Sequence, residues 1–575
     1  MRKKIKRYNK KPHPALAQST LPSILQRIYT HRGIENTEQI EHDLQNLLPY
    51  KYLLGIEEAV NILVSALHAQ ESILILGDYD VDGATSVALM IRVLRRFGAG
   101  KVDFIVPDRF TDGYGLTSEM AQVITRKKPD LLITVDNGIN SCTGVDIANE
   151  HGIKVIITDH HLSGKTLPKA AAIINPNQQK DIFESKYLAG VGVAFYLLLA
   201  LRTELRKQNW FKEKNIIEPN LANFLDLVAL GTVADMMPLD KNNRVLIYQG
   251  LRRIRAKKCC AGVRALLTLA KRPIDKVISD DLVFAVSPRL NAAGRLDNMT
   301  LSVHCLLTDD LVEANKFAAQ LNVLNEERKV IERNMEREAQ GMLLSHGERV
   351  EGRRVEGICL FKDSWHQGVV GILASRVKDK FDCPVIVFAS HNERQLKGSA
   401  RSIKGINIRN VLANLTERYP GMVTKFGGHA MAAGLTIPKE SYREFVKAFN
   451  QEVSESLNEE RLDNYIMSDG ELVEKELCIE VAELLRYSAP WGESFSYPVF
   501  DGDFHVLQQR LLSGNHLKLL LKKGEVFLDG IMFNADSNNW PNNRCERVQI
   551  AYHLETNEYR GQRKLQLRII HIETK

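Results

Sequence analysis

Long hydrophobic runs and paired cysteines are both missing from this 575-residue sequence. No run reaches the roughly 18 apolar residues that a membrane-spanning helix needs, so we expect no membrane segment and a cytoplasmic protein. The eight cysteines include no C-x-x-C pair, and adjacent Cys259 and Cys260 do not have a metal-ligand spacing. These absences argue against a disulfide scaffold and a cysteine-ligated structural zinc site, and favour a reduced protein with incidental thiols.

A strong excess of one charge is also lacking, since the net charge is only +7 and the pI is about 8.8. That balance permits a polyanionic partner but does not require one. The basic start, Met1–Arg7, is not followed by an apolar stretch, so it does not have the pattern of a secretory signal. We expect it to be a flexible arm that can touch phosphates.

Strand-like and helix-like segments alternate from about residue 71 to residue 175, which is typical of a parallel α/β sheet. Five apolar β-type runs are predicted as strands: Ser72–Leu76, Val102–Val106, Leu131–Val135, Lys154–Thr158 and Ala171–Ile174. Helices are predicted near Ala84–Phe97, Thr117–Lys127 and Thr143–His151, and a more helical stretch follows from Leu188 to Leu307.

The charged segment from about Asp309 to Leu344 contains no proline, and its apolar residues have a spacing close to a heptad. This predicts one long helix joining two domains, with two helices broken near Asn325 as the alternative. A second α/β region then begins, with strands expected at Gly357–Phe361 and Pro384–Ala389 and a helix between them at about Val369–Phe381.

Short alternating segments from about Tyr497 onward predict a small antiparallel barrel of about five strands. The recognisable strands are Leu517–Leu521, Val526–Phe533, Val548–Leu554 and Leu565–Ile572. The predicted organisation is therefore an α/β fold with a C-terminal β-barrel. Its segments are an N-terminal arm and lead-in (1–50), a parallel-sheet domain (51–308), a connecting helix (309–345), a second α/β domain (346–460), and a linker with the barrel (461–575).

Acidic and histidine motifs follow the predicted strands of the first domain: Asp78-Tyr79-Asp80-Val81-Asp82-Gly83, Asp136-Asn137-Gly138, Asp159-His160-His161 and, further on, Ala234-Asp235. The carboxyl ends of parallel strands meet at one edge of a sheet, where ligands bind. So many carboxylates repel one another unless cations lie between them. The motifs therefore predict a metal site, most economically two divalent ions of the kind that cleave phosphate esters.

Individual roles follow from this hypothesis. Asp136 is the candidate bridging carboxylate, while Asp80 and Asp82 alternate on an extended segment and share a face. Asp78 has the same parity and either ligates or supports the others. His160 can bind metal through a neutral ring nitrogen. His161 either ligates or donates to the phosphate. Carboxylate and imidazole ligands suit Mn²⁺, Mg²⁺ or Zn²⁺.

These motifs resemble those of the DHH phosphoesterase superfamily. Within it, further segments resemble the bacterial exonucleases specific for single-stranded DNA: Arg109–Gly115, Ala229–Asp235, Pro288–Arg295, Trp365–Ile372, Gly398–Ser402 and Phe426–Ala430. The resemblance implies a DHH domain, a DHH-associated domain and an OB-fold. It also implies 5′→3′ removal of mononucleotides in DNA recombination and repair, with two Mn²⁺ or Mg²⁺ ions. It carries over Asp80, Asp82, Asp136, His160 and Asp235 as metal ligands, with Asp78 added; we assign catalytic roles to Asp136, Asp159 and His161.

A path for the substrate is predicted outside the metal motifs. Glycines beside polar groups leave backbone N–H groups open to an anion, and the expected 5′-phosphate-binding residues are Arg109, Ser399, Arg401, Gly427, Gly428 and His429. The glycines could equally be tight turns. Basic, polar and aromatic groups suited to a single strand are Tyr114, Arg289, Asn291, Arg295, Lys518 and Arg560, with a solvated basic rim as the alternative for the barrel.

Two alternative functions remain open from the sequence. One is a phosphodiesterase of the same superfamily acting on oligoribonucleotides or cyclic dinucleotides, although a small substrate needs neither the long helix nor the barrel. The other is a non-catalytic DHH protein serving as a replication scaffold, although its metal-ligand set would then be expected to be incomplete. The expected partners are single-stranded DNA, a helicase and a single-strand-binding protein, and nothing requires more than a monomer.

Overall fold

The computed structural model describes residues 4–345, 357–456, 465–513, 516–535, 540–542, 544–559 and 561–575. The chain forms two compact units. The first comprises Met1–Ile105, Gly115–Ser287 and Asp463–Lys575, and the second comprises Val106–Tyr114 and Pro288–Leu462. Each unit is therefore assembled from stretches that are far apart in sequence.

Within the described residues, strands β1 to β17 occupy Lys4–Arg7, Ser72–Leu76, Lys101–Ile105, Leu131–Val135, Lys154–Thr158, Ala172–Ile174, Ile358–Phe361, Val385–Ser390, Gln395–Arg401, Lys425–Gly428, Ala432–Pro438, Tyr465–Ser468, Phe500–Leu512, His516–Lys523, Val526–Met532, Arg547–Tyr559 and Gln562–Thr574.

The α-helices of the same residues, α1 to α19, are Pro14–Ala17, Ser23–His31, Ile56–Ala69, Val81–Arg96, Ser118–Lys127, Cys142–Glu150, Gly190–Lys207, Trp210–Glu213, Leu225–Ala234, Lys241–Arg255, Ala261–Leu269, Ser279–Asp281, Ser287–Leu296, Thr300–Leu307, Leu311–Ser345, Val370–Phe381, Ile408–Arg418, Tyr442–Ser456 and Ile479–Tyr487. Among these described residues no single helix is long and apolar enough to cross a membrane; one bent pair, Leu44–Tyr52 with Ile56–Ala69, meets the length and composition criteria together.

The sheet of the first unit has the strand order β3-β2-β4-β5-β6, and all of its neighbours pair in parallel. Strand β4 is buried at every position, and β2 and β5 are buried at every position after the first, as expected for strands covered by helices on both faces. The chain passes from β2 outward to β3 and then returns to the other side of β2 as β4. The carboxyl ends of β2 and β4 therefore lie at a topological switch point, where such sheets bind ligands. The predicted parallel α/β sheet is confirmed.

The second unit contains helix α15, which runs unbroken from Leu311 to Ser345. The prediction of one long helix is confirmed, and the alternative of a break near Asn325 is wrong. Asn325 is buried and accepts from Arg328 Nη2 (3.1 Å), and Arg328 also pairs with Glu332. These contacts within one helix face explain why a polar residue at this position does not end the helix.

A five-stranded sheet with the order β10-β11-β9-β8-β7 forms the core of the second unit together with the helices packed on it. Strands β7 and β8 pair in parallel, and all other neighbours pair antiparallel. The sequence pattern identified β7, α16 and β8. It did not identify β9, β10 and β11, because their glycines and alternating polar residues dilute the apolar signal.

The C-terminal strands form a closed barrel with the order β13-β14-β15-β17-β16. The predicted five-stranded barrel is confirmed, but its antiparallel character is not complete, because β15 pairs with β17 in parallel. The connection from β15 runs through β16 before β17 reaches the open edge of β15, and this topology forces the two strands to point the same way. Strand β13, with 13 residues, was not distinguished from the linker.

The N-terminal segment was expected to be a flexible arm, and this expectation is wrong for the described residues from Lys4 onward. Residues Lys4–Arg7 form β1, which pairs in parallel with β12. Arg7 also binds Asp501 of the barrel, with Nη2 2.7 Å from Oδ2, and Arg32 binds Asp469 with two hydrogen bonds. The lead-in is thus held against the segment that enters the barrel.

Candidate metal centre and phosphate-binding face

The turn after β2 supplies the first three carboxylates. Asp78 is buried and accepts from the backbone N–H of Tyr79. Asp80 is the N-cap of α4 and accepts from the N–H of Gly83 (3.0 Å), as carboxylates at helix N-termini commonly do. Asp82 lies in the first turn of α4 and accepts from the N–H groups of Gly190 (2.6 Å) and Val191 (2.9 Å) at the start of α7.

Asp136 follows directly after β4 and has a left-handed backbone with φ of 62°. Its own N–H donates to the carbonyl oxygen of Thr158 at the end of β5. The neighbouring Asn137 donates to the carbonyl oxygens of Leu76 and Val135. These bonds tie the turn to the ends of β2, β4 and β5, and hold a buried carboxylate in a strained conformation that surrounding contacts must maintain.

Asp159 and the two histidines follow β5. Asp159 Oδ1 accepts from the backbone N–H groups of His160 and His161 and lies 2.8 Å from His161 Nδ1, while Oδ2 accepts from the N–H of Ile139. With both oxygens engaged, Asp159 acts on His161 and on the turn. Burial alone would raise the pKa of Asp159, but the hydrogen bond and charge of His161 hold it at about 2. Burial likewise disfavours the charged form of His161, yet Asp159 raises the pKa of His161 to about 9.

Asp235 caps the carboxyl end of α9 and joins the same cluster. His160 Nε2 lies 3.1 Å from Asp136 Oδ1, 3.5 Å from Asp235 Oδ2 and 3.9 Å from Asp82 Oδ2. Ligand atoms within 4.8 Å of one another define three overlapping groups: Asp78, Asp80 and Asp136; Asp82, His160 and Asp235; and Asp136, His160 and His161. All the proposed ligands are therefore brought together, and Asp136 and His160 each belong to two of the groups. Of the two, Asp136 has a carboxylate with two oxygens, which is the donor that can bridge a pair of ions.

The carboxylates of this cluster repel one another. Burial and then the charge of Asp80 raise the pKa of Asp82 to about 7, although the backbone donors at Gly190 and Val191 oppose that rise. Burial and then the charge of Asp82 also raise the pKa of Asp136 and of Asp235 well above the ordinary range. Buried carboxylates with this repulsion and an adjacent imidazole fit divalent cations, which neutralise the charge and prefer these donors.

Two glycines that sequence reasoning did not single out shape the centre. A Cβ on Gly190 would lie 2.5 Å from Asp136 Cβ, and a Cβ on Gly231 would lie 2.4 Å from Thr85 Oγ1 and 2.9 Å from Asp82 Oδ1. Both helices, α7 and α9, thus approach the carboxylates too closely for any side chain. Only their position in the motifs Ala189-Gly190-Val191 and Leu230-Gly231-Thr232 beside a functional site could have signalled this.

In the second unit, four of the predicted phosphate-binding residues lie on one sheet: Ser399, Arg401, Gly427 and Gly428. His429 follows the end of β10, and Arg109 lies in the loop Val106–Tyr114. Cross-strand register places Ser399 opposite Gly434 and Gly434 opposite Gly427. A Cβ at Gly427 would meet nothing within 4 Å, and one at Gly434 would meet only a carbonyl oxygen at 4.0 Å. This row is therefore an open strip beside the Ser399 hydroxyl. We call the strip and its flanking cations the phosphate-binding face.

Cations surround the strip. Lys397 and Arg401 share the face of Ser399 on β9, because alternate residues of a strand point the same way; Lys425 aligns with Lys397 through Thr436. Arg401 donates to Ser399 Oγ (3.0 Å) and to the carbonyl oxygen of Ala400. Burial and then the charge of Arg109 lower the pKa of Arg401, and burial followed by Lys425 and Arg109 lower that of Lys397. Lys397 and Lys425 were not identified from the sequence.

The start of α16 and the turn after β10 complete the face. A Cβ on Gly371, in the first turn of α16, would lie 2.9 Å from Ser399 Oγ and 3.0 Å from Arg401 Nη2, so a helix N-terminus with its positive dipole lies against these two side chains. Gly428 has φ of 133°, and a Cβ there would lie 2.5 Å from the carbonyl oxygen of Ala432. The N–H of His429 donates to the same carbonyl oxygen.

The predicted strand-contacting residues are more dispersed. Tyr114 is exposed. Arg289 Nε donates to Asn322 Oδ1 (3.0 Å), and Arg295 Nη1 donates to the carbonyl oxygen of Gly368 (3.1 Å), so Arg295 holds the 366–368 turn. Asn291 lies with them on α13 and is half-buried. In the barrel, Lys518 lies 3.6 Å from Asp529, and Arg560 lies outside the described residues. Their contact with DNA stays a prediction.

The barrel presents aromatic side chains that the sequence prediction missed. Phe527 and Phe533 are 60% and 53% exposed. Lys522 lies over the Phe527 ring at 5.4 Å, and His516 meets the Phe533 ring edge-on at 5.1 Å. Exposed rings beside cations are the combination that binds unstacked bases and a phosphate backbone.

Comparison with known proteins matches three families along the chain. The DHH family N-terminal domain matches residues 72–232, the DHHA1 domain matches residues 354–455, and the RecJ OB domain matches residues 468–571. The matches follow the order of the parallel sheet, the second α/β region and the barrel.

Curated relatives match over nearly the whole chain. The single-stranded-DNA-specific exonuclease RecJ of Escherichia coli (strain K12) is 50% identical over 554 residues, covering 96% of each chain. The protein of the same name from Bacillus subtilis (strain 168) is 34% identical over 521 residues, covering 90% of this chain and 63% of its own. The crystal structure of RecJ in complex with Mn²⁺ from Thermus thermophilus superposes with a TM-score of 0.82 at 27% identity, covering 100% of this chain and 80% of that one. A second RecJ structure from that organism contains Mg²⁺ (TM-score 0.76, 25% identity, coverage 100% and 79%).

Proposed function

The chain belongs to the RecJ family of single-stranded-DNA-specific exonucleases, and we propose that it releases 5′-mononucleotides from the 5′ end of single-stranded DNA. The observation that carries this proposal is the cluster of carboxylates and His160 at the switch point of the parallel sheet. The comparisons favour neither a small-substrate phosphodiesterase nor a non-catalytic scaffold, and the complete ligand set argues against the scaffold.

Two divalent ions, Mn²⁺ or Mg²⁺, fit the donor set described above. Asp78, Asp80 and Asp136 form one candidate ligand group, and Asp82, His160 and Asp235 form a second. Asp136 also belongs to the third group, with His160 and His161, which connects the first two. When bound, such ions activate a water molecule and neutralise charge on the phosphoryl group. RecJ structures with Mn²⁺ and with Mg²⁺ share the fold.

The chain's own residues fix the geometry of this centre. The N–H groups at the start of α7 orient Asp82, and Asp159 orients His161 through Nδ1. His161 then presents Nε2 as the ring nitrogen that can donate to a phosphoryl oxygen or bind metal, both of which remain open. Asp159 contacts His161 rather than occupying any of the ligand groups, so we propose that it is a positioning residue.

The phosphate-binding face of the second unit supports the choice of a 5′ end. A terminal phosphate carries close to two negative charges at neutral pH, as phosphate monoesters do. The open strip beside Ser399 offers Arg401, Lys397 and Lys425 with Arg109 nearby. A doubly charged end gains more from this density of cations than an internal phosphodiester does.

The barrel supports preference for a single strand of some length. Rings of Phe527 and Phe533 can stack with unpaired bases, which a duplex does not expose. Lys518 and Lys522 add backbone contacts on the same strand, β14. We propose that the protein acts as a monomer in the cytoplasm during recombination and repair, after a helicase has opened duplex DNA and in the presence of a single-strand-binding protein. We also propose the domain boundaries that were predicted from the sequence, with the parallel-sheet domain at 51–308, the second α/β domain at 346–460 and the linker with the barrel at 461–575.

The test is digestion of one long single strand labelled at its 5′ end and one labelled at its 3′ end, with Mn²⁺ present. We expect the 5′ label to be released at once as a mononucleotide and the 3′ label to appear only at the end. Asp136→Ala protein, purified identically, serves as the control for contaminating nucleases. Immediate release of the 3′ label would overturn the direction, and undiminished activity of the Asp136→Ala protein would overturn the site.

A further inference from the structure

An uninterrupted block of positive charge lies outside both regions described above. Residues 241–274 contain ten lysines and arginines and no aspartate or glutamate. Because the whole chain has a net charge of +7, the remainder carries a net charge of −3. The protein's basic character therefore comes from this one segment, which contains α10, α11 and the turn between them.

Four of these side chains are exposed at or near the turn that joins α10 to α11, and we call them the α10–α11 basic patch: Arg252, Lys257, Lys258 and Arg264. Arg252 is in the last turn of α10, the two lysines follow in the turn, and Arg264 lies on α11. Among the described residues none of the four takes part in an ion pair. Basic residues at a helix C-terminus stabilise the helix, which accounts for Arg252 but not for the lysines of the turn or for Arg264 on another helix.

A buried contact holds the turn of this patch in place. Asp226 is buried at the start of α9 and accepts from the N–H of Cys260 (2.7 Å), which fastens the turn to α9. Arg253 of α10 and Arg92 of α4 lie within electrostatic range of the same carboxylate. Asp226 is thus buried and already hydrogen-bonded to the turn, so it does not neutralise the exposed cations.

The same helix connects the patch to the metal centre. Asp226 and Asp235 are at opposite ends of α9, nine residues apart, which corresponds to about 14 Å along the helix axis. Within this unit, a polyanion on the patch therefore lies a few nucleotide lengths from the carboxylate cluster.

The surface chemistry distinguishes between possible polyanions. Among the described residues, no exposed large apolar or aromatic side chain lies between positions 237 and 283, so the segment that carries the patch offers no exposed ring for unpaired bases. Cations without a stacking platform contact phosphates alone, which suits the regular backbone of a duplex. We propose that the α10–α11 basic patch binds the backbone of double-stranded DNA, as in the duplex that adjoins a single-stranded tail.

This inference goes beyond the proposed function and does not depend on it, because duplex binding can be measured without cleavage. The variant Arg252→Gln, Lys257→Gln, Lys258→Gln, Arg264→Gln removes the patch. A matched control removes four exposed cations elsewhere in the same unit: Arg126→Gln, Lys169→Gln, Lys180→Gln, Lys212→Gln. Full-length proteins are titrated with a blunt duplex of about 20 base pairs, long enough to offer several phosphates to the patch, in EDTA at several salt concentrations.

We expect the patch variant to lose at least about tenfold in duplex affinity at about 0.1 M salt, and its log–log salt slope to fall by about 3 to 4 in magnitude. The control should retain the wild-type slope to within about 1. Digestion of a free single strand with Mn²⁺ should be unchanged in the patch variant, so a failure of the exonuclease proposal would be seen separately in the wild-type protein.

Equal duplex affinity in the patch variant and the control would overturn the proposal. So would patch-dependent binding of a polyglutamate peptide in the absence of patch-dependent duplex binding, which would assign the surface to an acidic protein segment. The double variant Lys257→Gln, Lys258→Gln changes only the exposed turn and repeats the test if the fourfold variant melts at a lower temperature than the control.

Discussion

Asp136 is the residue on which most constraints of the metal centre converge. It has a left-handed backbone, it is buried among other carboxylates, and Gly190 of α7 packs directly against its Cβ. The bridging role assigned to it requires a fixed carboxylate. A residue held by backbone and packing on all sides meets that requirement, whereas a long flexible glutamate would not.

The variant Gly190→Ala tests this packing without replacing any proposed metal ligand. The added Cβ would lie 2.5 Å from Asp136 Cβ, so Asp136 or the start of α7 must move, and a displacement near 1 Å costs about 100-fold in rate. We expect Mn²⁺-dependent cleavage to fall by about that factor, with weaker Mn²⁺ binding. Gly341→Ala is the control, because nothing lies within 4 Å of its added Cβ. Wild-type activity of Gly190→Ala would show that the close approach is not functional.

Arg401 is the corresponding residue of the phosphate-binding face. It donates to Ser399 and lies where Arg109 and the start of α16 add positive potential. Arg401→Ala should therefore reduce the preference for 5′-phosphorylated over 5′-hydroxyl ends by about 1.5–3 kcal/mol, the range for a charge-assisted hydrogen bond. The measurement compares kcat/KM for both ends. Arg409→Ala, an exposed cation on α17, is the control. An unchanged preference in Arg401→Ala would refute the face as the 5′-phosphate site.

Helices and strands could be predicted from the sequence wherever the apolar residues followed one clear pattern. The five strands of the first sheet and helix α15 follow apolar runs or a heptad-like spacing, and the structure places their ends within a few residues of the prediction. Strands β9 and β11 were not predicted: Gly398 takes the place of an apolar side chain on the buried face of β9, and Gly434 interrupts the exposed face of β11. The parallel pairing of β15 with β17 was beyond reach, because strand pattern does not encode which distant strand closes a barrel.

The residues of the candidate site likewise include some that could be predicted from the sequence and some that could not. Most of its proposed metal ligands follow strands and could be predicted, because a parallel sheet gathers strand ends. Asp235 instead follows helix α9. Lys397, Lys425 and Gly371 could not, since their proximity to Arg401 arises from cross-strand register and from the docking of α16. The excess of lysine and arginine at 241–274 is visible in the sequence. Which of these side chains are exposed depends on how α10 and α11 pack and could not be predicted.

Strands β14 and β15 are predicted to bind single-stranded DNA. Substitutions at and next to these strands test this more sharply than removal of the barrel. Truncation would also break the contacts of Arg7 with Asp501. Phe527→Ala with Phe533→Ala leaves the barrel core intact, because both rings are exposed. We expect affinity for a long single strand to fall by about 2–6 kcal/mol at most, from about 1–3 kcal/mol per stacked base, while dinucleotide cleavage is unchanged. Val473→Ala is an exposed apolar control. Equal losses for long and short strands would exclude a stacking role.

In the whole molecule, the compact units do not follow one another as consecutive stretches of the chain. The first unit combines three stretches, from the N-terminal strand β1 through the parallel sheet to the barrel, and the second includes the short loop Val106–Tyr114. Contacts such as Arg32 with Asp469 join residues 437 positions apart. A unit built in this way folds only when its distant stretches meet. The free energy of unfolding of the whole unit therefore depends on the charges in each stretch, including those of the carboxylate cluster.

The pH dependence of stability with and without Mn²⁺ tests the contribution of the cluster. The folded-state pKa of Asp82 is raised to about 7 by burial and Asp80, and the pKa values of Asp136 and Asp235 are also raised, by burial and then by Asp82. Raised carboxyl pKa values stabilise the fold fully below about pH 4, and this contribution is lost as pH rises through about 7. In EDTA, the cluster should therefore lower the melting temperature between about pH 5.5 and about pH 8.

Bound Mn²⁺ replaces the missing protons, so the gain in melting temperature on adding Mn²⁺ should be larger at about pH 8 than at about pH 5.5, on the order of 2–5 °C against less than about 1 °C. The half-buried His42 and His553 act with the opposite sign, because partial burial lowers the pKa of each to about 4 and their contribution is lost as pH falls below about 6.5. They contribute equally with and without the ion and cancel in the difference. Scanning calorimetry of wild type and Asp136→Ala supplies both curves. A gain that is independent of pH, or one retained in full by Asp136→Ala, would separate metal binding from the carboxylate cluster.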